Sequence, residues 1–233
     1  MSFSKPELDE LLEAMRMAAD EAGALLLEGL NRPKHIEYKG VVDLVTEYDT
    51  RAEELITRKL ADQFPKISIL AEESSLDNDS EAVTRFIVDP LDGTTNFSHG
   101  QPIFAVSIGL EDDGDLVAGV VNMPALGLEA WARSGGGALC NGERIRVSEN
   151  HDLGHCLVAT GFPYDRRTAQ DDNTREFNTF IKHTQGVRRC GGNFSKIGGE
   201  STDLLRLGTS CDKYGQLWDL IFVTDTIIYV FPK

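Results

Sequence analysis

The sequence predicts an α+β layered sandwich. Three observations point there: two amphipathic helical segments at the start, a long middle stretch of short apolar runs split by hairpin signals, and mixed helix and strand patterns after it. SKPELDELLEAMRMAADEAGALLLEGL opens the chain. Ser4 with Glu7 three residues on fits a capping box. Leu8, Leu11, Leu12, Met15, Ala18, Ala19, Ala22, Leu25 and Leu26 recur at helical spacing. After the polar connection NRPKHIEYKGVVDLVTEY, Asp49 reads as the N-cap of a second helix, TRAEELITRKLADQF, with Leu55, Ile56, Leu60 and Phe64 apolar.

ISILA predicts a buried strand that ends at Glu72-Glu73, and an acidic loop leads from there to TRFIV. From Phe104 to Ser148 the runs FAVSIGLE, DLVAGVVN, GLEAWARS and ERIRVS are separated by DDG, MPALG, GGG and NG, which predicts an antiparallel meander. CLVATGF predicts a further strand, NTREFNTFIKHT a helix, and TDLLRL, after the Gly-rich CGGNFSKIGGES, another helix. With no repeat, low-complexity linker or clear boundary, the chain reads as one domain, 1–233. Residues 1–148 supply the helix pair and the sheet, and 149–233 supply a second α/β half.

The composition is that of an ordinary globular protein, with 41% hydrophobic and 26% charged residues in 233. Acidic residues outnumber basic ones 38 to 23, for a net charge of −15, which argues against a nucleic-acid surface, since that needs a basic footprint. An anionic substrate stays open, because metal ions can lie between it and an acidic site. No run approaches membrane-spanning length and MSFSKPELDE lacks an apolar signal core, so a cytoplasmic protein without membrane partners is expected. The four cysteines form no C-x-x-C pair, which points to reduced thiols rather than zinc. HDLGH, with His151 and His155, lacks the glutamate of a zinc-protease helix and reads as a loop; no Walker-type phosphate loop occurs.

The chemistry concentrates in DPLDGTTNFSHG, Asp89 to Gly100. Pro90 pushes Asp89 to an extended conformation at the strand's end. A turn over Pro90-Leu91 would bring Asp92 back beside Asp89, bury the Leu91 side chain and offer its carbonyl oxygen. Three oxygen donors then converge, as Mg²⁺ requires at ~2.0–2.1 Å, and Asp89 could bridge two ions ~3.5–4 Å apart. Gly93 allows close backbone approach. Thr94-Thr95-Asn96 can start a helix whose N–H groups face a phosphate. Each half of the string alone reads as a Pro-Gly turn with solvated aspartates; the two together read as metal ligands beside an anion cradle. Glu72 and Glu73 sit at another strand end, where alternation lets only one face the site, and the residues themselves do not choose between them.

With VVDLVTEYD, ILAEES, FAVSIGL and GALCNGERIRVS in order around it, FIVDPLDGTTNF resembles the inositol monophosphatase family of Mg²⁺-dependent, lithium-sensitive phosphatases, over about residues 1–190. The resemblance implies a layered αβαβα sandwich of the inositol monophosphatase and fructose-1,6-bisphosphatase type, usually a homodimer. It also implies hydrolysis of a small phosphate monoester by direct attack of a metal-activated water, with two or three Mg²⁺ ions. By position, Glu72 binds metal and orients the water, Asp89 bridges metals, Leu91 gives its backbone oxygen, and Asp92 and Asp219 hold the second metal. Thr94 and Asp49 form a pair that polarises the water. Gly93, Thr94 and the neighbouring backbone hold the phosphate, and Asp92, Gln216 and Asp219 border the substrate.

The C-terminal part departs from that family. CDKYGQLWDL is shortened before Asp219, and LIFVTDTIIYVFPK replaces a small-residue helix with a strand-prone tail. Asp212 and Asp225 stand as substitutes for Asp219. The tail either covers a sheet edge or leaves one exposed. Inositol monophosphate or a related sugar or polyol phosphate is the expected substrate. Fructose 1,6-bisphosphate, histidinol phosphate and 3′-phosphoadenosine 5′-phosphate are the alternatives within that chemistry, and an impaired member that only binds is the alternative outside it.

Overall fold

Helix α1, Lys5–Leu30, begins where the amide and hydroxyl of Ser4 donate to the Glu7 carboxylate at 2.7 and 2.5 Å, the cap that the spacing predicts. The computed structural model describes residues 3–38, 44–73, 82–145, 152–159, 162, 167–168, 172–188, 219–223 and 226–231. Leu8, Leu11, Leu12, Met15, Ala18, Ala19, Ala22 and Leu26 are buried along one stripe of α1, and Leu25 lies half-buried at its edge. Opposite the end of α1 stands α2, Glu47–Gln63, with Ala52, Ile56 and Leu60 buried. Its N-cap is Thr46, not Asp49. The amide and hydroxyl of Thr46 both donate to Asp49 Oδ2, at 2.8 and 2.6 Å, and the Tyr48 amide donates to Thr46 Oγ1 at 3.2 Å. The helix therefore starts earlier than expected, and Asp49 takes the acidic place in its first turn.

A seven-stranded sheet carries both helices on one face. Its strands are β3 (Ser68–Ala71), β4 (Thr84–Asp92), β5 (Ala105–Asp112), β6 (Asp115–Met123), β7 (Leu128–Arg133), β8 (Gly137–Cys140) and β9 (Glu143–Ile145), in chain order across the sheet. From β4 onward every pairing is antiparallel, as the hairpin signals predict, and the Asn141-Gly142 turn has both φ angles positive, as that dipeptide favours. The β3–β4 pair is parallel, so the sheet is mixed rather than wholly antiparallel. Arg16 fastens α1 to β7: its guanidinium donates to Glu129 at 2.9 and 2.8 Å and lies 3.8 Å from the centre of the Trp131 ring.

Two short strands, β1 (Ile36–Tyr38) and β2 (Leu44–Thr46), form an antiparallel pair that leads into α2. A second sheet holds β10 (Leu157–Ala159), β11 (Gly186–Arg188), β12 (Asp219–Val223) and β13 (Thr226–Phe231), in the order β11-β10-β13-β12. Helix α4, Thr174–His183, precedes β11, whose pairing with β10 is parallel. The strand-prone tail thus forms strands, and β13 covers the free edge of β10 in antiparallel register. TDLLRL and CGGNFSKIGGES lie outside the described residues. Among the described residues no helix is long and apolar enough to cross a membrane; Cys140 is a free thiol, and the Cys156 thiol donates to Asp152 O at 3.3 Å.

Three rings carry the weight between α2 and the motif that follows β4. Tyr48 meets Phe97 edge-on at 5.5 Å between centroids, and Phe97 meets Phe104 at 5.2 Å. Gly29 of α1 makes room for this stack, since a Cβ there would stand 2.3 Å from Tyr48 Cε1. In a free helix, Gly29→Ala would gain roughly 1 kcal/mol in propensity. Here overpacking of about 1–3 kcal/mol opposes that gain, and the rigid ring cannot give way without breaking its contact with Phe97. Gly29→Ala is therefore expected to lower the melting temperature in a calorimetric scan; an unchanged or raised midpoint would show that Tyr48 is free to move.

Candidate active site

The parallel pairing of β3 with β4 brings the ends of both strands to one edge of the sheet. Ala71 lies beside Val88, so Glu72 and Asp89 follow at the same level, with the Glu72 amide donating to Val88 O at 3.2 Å. β4 is buried from Phe86 through Asp92 and does not turn at Pro90. Instead it bulges: Asp89 pairs with Ser107 and Asp92 with Ala105, so three steps on β4 match two on β5. Residues three apart in a regular strand face opposite sides; the added residue restores them to one side. Asp89 and Asp92 thus converge as expected, through a bulge rather than a turn. Within it the Leu91 amide donates to Asp89 Oδ1 at 3.1 Å, and the Leu91 side chain is buried in the core.

Asp89 and Asp92 are each 5% exposed. Burial pushes the Asp89 carboxyl well above the usual carboxylate range, and the charges of Glu72 and Asp92 push it further. Glu72 also hydrogen-bonds Asp89 through its side chain. Asp92 Oδ2 is buried and takes no hydrogen bond. Neither glutamate continues a strand, because β3 stops at Ala71 and Glu72-Glu73 form a turn. The alternation that would turn one of them away does not apply: Glu72 bears on Asp89, and the Glu73 charge is felt by Asp49.

Gly93, with φ 93°, caps the short helix α3, Thr94–Ser98. A Cβ there would stand 3.1 Å from Ile103 O and 3.3 Å from Phe104 Cα, so the close approach Gly93 permits is to this segment of its own chain. Asn96 Nδ2 donates to Ile103 O at 2.7 Å and pins α3 to the same segment. Thr94 Oγ1 lies 2.9 Å from Asp49 Oδ1 and 3.0 Å from Leu91 O. Its single proton serves one of the two at a time. When Asp49 receives it, Leu91 O keeps its lone pairs for another partner. Asp49 is 1% exposed; burial raises its carboxyl to about 6, against the hydrogen bonds from Thr46 and Thr94, which lower it.

The residues fit a divalent cation. Carboxylates pressed together in a buried place are unfavourable as anions, and hard oxygen donors of this kind suit Mg²⁺. Among the described residues no three such side chains close around one point as a finished cage. Asp219 stands at the first position of β12, opposite Val230. Gln216, Asp212 and Asp225 lie outside the described residues. Two neighbours were missed in the sequence. Thr46 anchors Asp49, and T-x-x-D just before a helix was its signal. Glu53 is buried at 3% exposure and accepts the Glu73 amide at 2.7 Å; its signal was its place one turn after Asp49 on the face that carries Ile56.

In this chain the scaffold carries an acidic strand end, and the fold defines a class, a layered α+β scaffold shared with solved bacterial structures. One is the extragenic suppressor protein suhB from Bartonella henselae, with TM-score 0.73 and 37% identity over 78% of this chain and 71% of that one. Residues 7–203 match the model of the inositol monophosphatase family, and the chain belongs to that family. Inositol monophosphatase 3 of Solanum lycopersicum is 35% identical over 92% of this chain and 78% of its own length. The chloroplastic phosphatase IMPL1 of Arabidopsis thaliana is 40% identical over 78% of this chain, which spans half of that relative's length.

The raised Asp49 carboxyl gives a pH signature. A carboxyl that binds its proton more tightly when folded adds stability below the ordinary value, 3.8. That stability is lost as pH rises through about 6. In metal-free protein, Asp49→Asn should therefore gain on the wild type by roughly 2–3 kcal/mol between pH 4 and pH 7, read as the difference of two denaturation series in excess chelator. A difference that stays flat with pH would show that Asp49 is not held up.

Proposed function

We propose that this protein hydrolyses a small phosphate monoester, inositol monophosphate or a related sugar or polyol phosphate, with Mg²⁺ as cofactor. The observation that carries this reading is the buried Asp89, flanked by Glu72 and Asp92, beside the Thr94–Asp49 hydrogen bond. Glu72, Asp89, Leu91 O and Asp92 would hold two or three Mg²⁺ ions, and Asp219 joins them on the family resemblance. Bound there, the ions would offset the charge of the ester dianion, lower the pKa of water and stabilise the leaving alkoxide.

The chain's own groups do the rest. Thr94 gives its proton to Asp49 Oδ1, which leaves the lone pairs of Thr94 Oγ1 to accept from the attacking water. Asp49, held by Thr46 on its other oxygen, keeps Thr94 in that orientation and draws the proton away. Glu72 helps orient the same water. The backbone at Gly93 and Thr94 would hold the phosphate, and on the family resemblance Gln216 and Asp219 would border the substrate. Lithium inhibition and a homodimer belong to the same proposal and rest on the family resemblance.

Phosphate release from a panel of monoesters, with and without Mg²⁺, tests it. Release is expected only with Mg²⁺, and inositol monophosphate is expected to lead the panel. Asp92→Asn should abolish it, and Thr94→Ala should lower kcat by about 10²-fold or more. Undiminished turnover in excess chelator, or no release from any ester by folded protein, would overturn the reading.

A further inference from the structure

We propose that Glu53 is a positioning residue for this site: its carboxylate fixes the Glu72–Glu73 turn so that the Glu72 side chain bears on Asp89. The inference deepens the metal-dependent reading and rests on it for its metal-affinity arm alone. Two hydrogen bonds hold the turn. The Glu72 amide donates to Val88 O on β4 at 3.2 Å, and the Glu73 amide donates to Glu53 Oε2 on α2 at 2.7 Å. These are the two peptide groups that flank the Glu72 Cα, so both backbone torsions of Glu72 are set, one from the sheet and one from the helix. Only the side-chain torsions remain, and these bring the carboxyl to Asp89.

Glu53 is 3% exposed, between buried Ala52 and buried Ile56 and Thr57. An apolar residue would be the favourable occupant of such a place. Its hydrogen bond is charge-assisted and short, the strong kind that can fix a backbone amide. Asp49, one turn earlier on α2, holds Thr94 at 2.9 Å. One buried face of α2 therefore sets both sides of the site: Asp49 fixes Thr94, and Glu53 fixes Glu72.

The test compares Glu53→Gln, which keeps an acceptor, with Glu53→Asp, whose carboxylate is one methylene short, and Glu53→Ala. Three readouts apply: exchange of the Glu73 amide by NMR in metal-free protein, the carboxyl ¹³C shift of Glu72, and Mg²⁺ affinity by calorimetry. Glu53→Ala and Glu53→Asp should lose protection of the Glu73 amide, shift the Glu72 carbon and bind Mg²⁺ about 10–100-fold more weakly. Glu53→Gln should keep all three. Full Glu73 protection in Glu53→Ala would overturn the proposal. So would lost protection with an unmoved Glu72 carbon, or a Glu53→Gln protein as impaired as Glu53→Ala. If the wild type binds no Mg²⁺, the metal reading fails, while amide exchange and the Glu72 carbon still decide the role of Glu53.

Discussion

Like charge held out of water is the constraint around which the structure is arranged. β4 is buried over its last seven residues, so Asp89 reaches the sheet edge with little solvent to stabilise an anion. Glu72 and Asp92 add repulsion where water could otherwise have helped. An isolated buried carboxylate answers this by keeping its proton. A cluster of them prefers a cation, and the hydrolytic reading follows from that preference. The arrangement costs stability, and the apolar stripe of α1 against the sheet offsets it, with twenty-five buried residues among those described forming one continuous core.

Two separate pieces meet at the site, and apolar packing joins them. The bulged end of β4 supplies Asp89, Leu91 and Asp92; the first turns of α2 supply Asp49 and Glu53. Between them stand Tyr48, Phe97 and Phe104, each meeting the next edge-on. Phe97 lies on α3, three residues after Thr94, and Tyr48 precedes Asp49 directly. The stack therefore sets the distance between the two partners of the Thr94–Asp49 hydrogen bond. Ring contacts are insensitive to protonation, so this distance does not depend on the charge state of the acids beside it.

The sequence was most legible where the pattern is local. The α1 stripe, the Ser4–Glu7 cap and the Asn141-Gly142 hairpin each need only neighbours in the chain, and each formed as expected. Asp49 was misplaced because Thr46 and Asp49 are both capping types three residues apart, and composition alone cannot rank them. Pro90 suggested a turn; that it sits in a bulge depends on the register of β5, which no local string shows. The parallel β3–β4 pair was illegible for the same reason, since strand direction is decided by the partner. Glu53 was overlooked because a glutamate in a helix ordinarily faces solvent. The convergence of Asp89 and Asp92 was legible because the two stand three positions apart, close enough for one local irregularity of the strand to bring them to one side.

The tail extends the same dependence on register. In the second sheet Val158 pairs with Val230, and Val230 pairs with Asp219, so one transverse row crosses β10, β13 and β12. A slip of one residue in either ladder would reverse the face from which every residue of β12 projects. The β-branched and aromatic residues of TIIYVF favour this pairing, and β10 gives them a partner that precedes them by about seventy residues. What stands in place of a small-residue helix is therefore a strand pair, β12 aligned with β13 from Val223 opposite Thr226 to Asp219 opposite Val230, with β13 aligned in turn on β10. The backbone position of Asp219 is accordingly given by its pairing with Val230.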